Sequence, residues 1–173
     1  MGSDRTFGQL VADYLISAVE ADGTFVRITG PDILINTSTR TRVEARFGAT
    51  QLLTGFRGAA RPAMRGGTIL IIADETRDRP PRSTTGLGRI MAYEYDLIDQ
   101  PYGSELGFHL HAEPNRQAPE LHRHETMNGG RRLRYSGTDE PQASLEHALT
   151  AFRGRMWASR YPAPIAPKAR DKR

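Results

Sequence analysis

Residues 89–136 read RIMAYEYDLIDQPYGSELGFHLHAEPNRQAPELHRHETMNGGRRLRYS, and their alternation decides the fold class. Successive side chains of a strand point to opposite faces. In RIMAYEYDLID (89–99), Met91, Tyr93, Tyr95 and Leu97 therefore share one face. ELGFHLHAE (105–113) and PELHRHET (119–126) alternate in the same way. MNGG (127–130) holds the Asn-Gly pair that favours a tight hairpin turn, and RRLRYS (131–136) is its return strand. The segment predicts consecutive antiparallel strands.

Moving outward, RTFGQLVADYLISAVEA (5–21) places Phe7, Leu10, Val11, Tyr14, Leu15 and Ala18 at the three-and-four spacing of one helical face. TFVRIT (24–29) and DILINTS (32–38) predict two short strands around a Gly30-Pro31 turn. RTRVEARF (40–47) alternates Thr41, Val43, Ala45 and Phe47 against four charged residues, and GTILIIADET (67–76) is a buried strand by its β-branched run. Residues 55–67 and 77–88 are Gly- and Pro-rich connections, the first a mobile basic loop. Residues 140–160 predict a helix with Pro141 in its first turn, Asp139 or Thr138 as cap, and Leu145, Leu149, Phe152 and Met156 as its core stripe. The expectation is a single α+β domain over residues 1–160, a curved antiparallel sheet flanked by an N-terminal and a C-terminal helix. Residues 161–173, basic and with three Pro, are expected to be a disordered tail.

Composition narrows the chemistry. The 173 residues include no Cys, so disulfides, thiolate catalysis and cysteine-ligated zinc are excluded. No run approaches the ~20 apolar residues of a membrane helix, and the N-terminus lacks a signal-peptide layout; a cytoplasmic protein without membrane contact is expected. The net charge of +4 is uneven: residues 151–173 carry seven Lys/Arg against one Asp, which leaves residues 1–150 at −2. Of the 24 basic residues 22 are Arg, a type suited to bidentate phosphate contacts.

Four of the five histidines, His109, His111, His122 and His124, form two His-x-His pairs within sixteen residues. Each pair shares a strand face. If the two strands pair antiparallel with His111 opposite His122 and His109 opposite His124, all four imidazoles meet on one face, while Phe108, Leu110 and Leu121 anchor the other. Two chemistries suit such a face. Neutral imidazoles ligate zinc or another transition metal, with His109, His111, His122 and His124 as the ligand set. Alternatively, one imidazole removes a ribose 2′-OH proton and another protonates the leaving oxygen, with no metal or other cofactor required; Arg123, Arg116 or Tyr95 would then stabilise the developing charge. The plain alternative is an interaction protein whose exposed strand histidines are satisfied by their neighbours. Elsewhere, His147 is read as packing on the C-terminal helix, and Asp74-Glu75 as a turn cap rather than a functional carboxylate pair.

The segments YEYDLID, ELGFHLHAEP, PELHRHETMNGG, RRLRYSG and SLEHALTAF, over about residues 89–156, resemble the TumE-like toxins of toxin–antitoxin systems. The resemblance rests on Tyr93-Glu94-Tyr95, Phe108, Pro119-Glu120-Leu121-His122-Arg123-His124, the Asn128-Gly129 turn and Leu145…Phe152. Where that family has Arg-Tyr-Asp-Asn, this chain has Phe108-His109-Leu110-His111. The resemblance implies an effector acting on RNA, bound by a cognate antitoxin, with homo-oligomers possible. On that reading His122 and His124 form the acid/base pair, His111 orients the phosphate, and Arg123 and Tyr95 complete the catalytic set. Arg57, Arg61, Arg65 and Arg116 are the candidate nucleic-acid contacts.

Overall fold

Seven strands pair in chain order, each antiparallel to the next. The computed structural model describes residues 6–20, 25–49, 68–80, 86, 88–111, 120–136 and 142–160. Helix α1 (Phe7–Glu20) precedes the strands β1 (Phe25–Asn36), β2 (Arg40–Ala49), β3 (Ile69–Arg77), β4 (Ile90–Asp99), β5 (Ser104–His111), β6 (Glu120–Thr126) and β7 (Leu133–Ser136); helix α2 (Leu145–Arg160) follows them. The curved sheet is open, with β1 and β7 at its edges, so the α+β expectation holds. The loop at 55–67 with Arg57, Arg61 and Arg65, the connection carrying Arg116, and the tail 161–173 lie outside the described residues.

Both helices pack on one face. Val43, Ala45 and Phe47 of β2, Ile69, Ile71 and Ala73 of β3, Tyr93, Tyr95 and Leu97 of β4, and Leu106, Phe108 and Leu110 of β5 are buried there with Leu15 and Val19 of α1 and with Leu145, Leu149, Phe152 and Met156 of α2. Each of the Val, Leu, Ile, Phe and Met side chains contributes about 1.5–3 kcal/mol when fully buried. Met91, of the same parity as Tyr93, stays 38% exposed near the start of β4.

Local signals fix the helix starts. Thr6-Phe7-Gly8-Gln9 forms a reciprocal cap: the Gln9 N–H donates to Thr6 Oγ1 at 3.3 Å and the Thr6 N–H donates to Gln9 Oε1 at 2.9 Å. Asn36, at the end of β1, accepts the Gly8 N–H at 3.0 Å and ties the helix to the sheet edge. Helix α2 begins at Leu145, later than the expected 140, and Ser144 caps it, its hydroxyl accepting the His147 N–H at 3.1 Å; Thr138, Asp139 and Pro141 lie outside the described residues.

The expected turn at Gly30-Pro31 is a second correction. β1 runs through it and pairs with β2 on both sides, with register shifts between Arg27 and Asp32. β2 offers a continuous partner, and proline is tolerated on an edge strand or at a bulge because no ladder donor is needed there. Gly30 has φ +88, and a Cβ on it would lie 2.9 Å from the Glu44 carbonyl oxygen. The bulge brings backbone against backbone where only glycine fits. By contrast, the Asn128-Gly129 turn is as expected: φ is 48 and 72, the paired positive values of a type I′ hairpin.

Candidate metal centre

The alternation that buries Tyr93, Tyr95 and Leu97 under the helices turns Glu94 and Asp96 of β4 to the other face. On β5 and β6 it turns Gly107, His109 and His111, and His122 and His124, the same way. All four histidines share this face, on which neither α1 nor α2 packs.

The strand register differs from the expected one by two residues. His109 lies opposite His122, Gly107 opposite His124, and His111 opposite Glu120. The parity is unchanged, so the histidines keep their common face. The observed register puts Leu110 opposite Leu121, an apolar cross-strand pair, where the expected one would have set Leu110 against Arg123. It also places Gly107 between Asp96 and His124. A Cβ on Gly107 would lie 2.3 Å from both Asp96 Oδ1 and His124 Nε2. The missing side chain is the space in which these two groups meet.

Asp96 is the hub of one half of the cluster. Its Oδ1 is 2.9 Å from His109 Nε2 and 3.3 Å from His124 Nε2, and the two Nε2 atoms are 3.3 Å apart. Burial pushes the Asp96 carboxyl up, but the hydrogen bonds and charge of His109 and His124 more than reverse this and hold it at about 2. In the other half, the His122 ring centroid lies 4.9 Å from His109 and 5.1 Å from His111. Burial, then the positive charge of Arg134 and of His109 and His111, lowers His122 to about 4 against the opposing pull of Glu120. Glu94 Oε1 stands 3.7 Å from His111 Nδ1, and Glu120 Oε1 stands 3.8 Å from His122 Nδ1. Nδ1 of His122 and of His124 are buried without a hydrogen-bond partner.

Two sets of ligand atoms result. Asp96, His109 and His124 form one; His109, His111 and His122 form the other; within each, all ligand atoms lie within 4.8 Å of one another. The first has the two-imidazole, one-carboxylate composition that binds divalent transition metals and leaves coordination positions open. Asp96 and Gly107 had no place among the sequence candidates. The signal was present, since YEYD must turn Glu94 and Asp96 away from the face that buries Tyr93 and Tyr95.

Tyr95 and Arg123 are not part of this site. Tyr95 lies on the helix side, fully buried, and its hydroxyl donates to Glu75 Oε1 at 2.8 Å. Burial first, then the neighbouring Glu75 carboxylate, raises its pKa. Arg123 is also on the helix side, 3.8 Å from Glu125 and with its guanidinium 4.5 Å above the Tyr135 ring. It lines a groove of about 510 Å³ with Phe108, His147, Ala151 and Arg155. His147 is exposed there and makes an edge contact with Phe108 at 5.5 Å, in line with a packing role. Asp74 and Glu75, read as a turn cap, sit within β3 on opposite faces: Asp74 takes a two-pronged hydrogen bond from Arg40, and Glu75 pairs with Tyr95 and Arg77.

No described helix is long and apolar enough to cross a membrane. Comparison of the chain with protein-family models, with curated proteins and with solved structures gives no match.

Proposed function

We propose that this chain is a transition-metal-binding protein whose ion sits on the open face of the sheet, ligated by Asp96, His109 and His124. The observation that carries this reading is the convergence of Asp96 Oδ1, His109 Nε2 and His124 Nε2 within 3.3 Å over the bare backbone of Gly107. Zinc–nitrogen bonds of about 2.0–2.1 Å require only a small parting of these atoms. Three protein ligands leave positions for water or a substrate, so the site suits an ion with chemical work to do. The test is metal retention. Metal-free protein exposed to zinc and passed through a desalting column is expected to keep the ion, and the His109→Ala/His124→Ala double variant to lose it. A wild-type protein that emerges without zinc ends this reading.

The second reading is a TumE-like ribonuclease that needs no metal and is restrained by an antitoxin. It is supported by the closely spaced pair of half-buried His111 and buried His122 on the same open face. Its charge stabilisation must come from a group other than Tyr95 or Arg123, since both belong to the helix side; Arg134, which pairs with Glu120 beside His122, is the candidate. RNA cleavage that persists in excess chelator and disappears in His122→Ala would favour it over the metal reading.

A further inference from the structure

We infer that the histidine face holds two transition-metal ions that share His109. This rests on the metal reading above and adds a second ion on His109, His111 and His122.

The five ligand residues do not gather into one sphere. They divide into two sets of three, with His109 common to both. The ring positions agree: His109 is 4.7 Å from His124 and 4.9 Å from His122, while His122 and His124 are 6.4 Å apart. His109 is thus central and the other two rings flank it. Donors around one ion at about 2.1 Å are at most about 4.2 Å from each other; a set that spreads to both sides of His109 asks for two ions. An imidazole has two ring nitrogens able to bind metal. Nε2 of His109 faces Asp96 and His124, and Nδ1 is the ring's remaining ligand atom.

Charge supports the second position. Two dications close together need anions near both. Asp96 serves the first; Glu94, 3.7 Å from His111 Nδ1, and Glu120, 3.8 Å from His122 Nδ1, stand by the second as countercharges. When both nitrogens of His109 are metal-bound, the ring carries no proton. The one displaced by the second ion leaves to solvent, and no oxidant or other reactant is involved.

The experiment is a zinc titration of metal-free protein with elemental analysis of the gel-filtered product. Wild type is expected to hold two ions per chain. Asp96→Asn and His111→Ala, each altering one set, are expected to hold one. His109→Ala, which removes the shared ligand, is expected to hold none. A wild type that saturates at one ion overturns the shared site while leaving the single-metal reading intact; a wild type that binds none ends both. Copper(II) provides a readout that needs no variant. Its electron-spin signal should grow through the first equivalent and shrink with the second, because two coppers joined through one imidazole couple antiferromagnetically. A signal that simply doubles overturns the sharing of His109.

Discussion

The two faces of the sheet carry the same strands and obey opposite rules. On the helix side, the core tyrosine hydroxyls are paired: Tyr93 OH accepts the Ala143 N–H at 2.8 Å, and Tyr95 OH donates to Glu75 at 2.8 Å. On the open side, five residues able to ligate a metal crowd together, and two buried imidazole nitrogens have no hydrogen-bond partner. The core tyrosine hydroxyls are satisfied from within the fold, whereas the open face keeps imidazole nitrogens without a hydrogen-bond partner. Period-two alternation therefore sends adjacent residues of a single strand to different surroundings, Phe108 to the core under the helices and His109 to the histidine face.

The contrast is broken most forcefully from the helix side. Phe152 is fully buried and its ring lies 6.3 Å from that of Phe108. Phe152→Ala is expected to cost about 3–5 kcal/mol in denaturant unfolding. A cost under about 1 kcal/mol would show that α2 does not hold the sheet.

Acid should act through the open face. His122 titrates near 6.5 when unfolded and at about 4 when folded, so between these values the unfolded chain takes up the proton first and stability falls as pH falls. Asp96 continues the trend: its stabilisation is full above 3.8 and is lost as pH drops towards about 2. Thermal unfolding of metal-free protein should show a midpoint that declines steadily from neutral pH downward, with a shallower decline in His122→Ala. Equal slopes in the two proteins would remove His122 from this account.

Gly107→Ala sharpens the comparison, since the added methyl points only to the open face. It would collide with Asp96 Oδ1 and His124 Nε2 at 2.3 Å. Zinc affinity is expected to fall by about 10–100-fold, as when the groups that orient metal ligands are lost, with the circular dichroism spectrum unchanged. Wild-type affinity in this variant would mean that the ion does not sit above Gly107.

The smallest expected effects on metal come from the helix-side residues once considered catalytic. Tyr95→Phe leaves Glu75 without one of its donors and should cost about 1–3 kcal/mol of stability. Neither it nor Arg123→Ala should change zinc content. Loss of zinc in either would join the two faces into one functional unit.

Much of this was legible beforehand. Thr41, Val43, Ala45 and Phe47, or Leu149, Phe152 and Met156, repeat with a period that admits one buried face, and every one of them is buried. The common face of the four histidines followed from parity alone. What parity cannot supply is register, because a shift by two residues preserves it; the choice lay with Leu110 meeting Leu121 and with the room at Gly107. Gly30-Pro31 misled for a related reason: the pair that marks a turn in isolation is equally at home in an edge strand beside a continuous partner. The histidine spacing does not point to Asp96, which sits on a strand separated from the histidines by a turn.

The chain-order pairing of the strands has a consequence for synthesis. Each strand finds its partner in the segment made just before it, so the sheet can extend as the polypeptide leaves the ribosome, without waiting for distant sequence. The roof over Tyr95, Phe108 and Leu110 comes last, because α2 occupies Leu145–Arg160. The histidine side needs no such roof. A nascent chain that has completed β7 already carries both His-x-His pairs in place, while part of its oily floor still faces water.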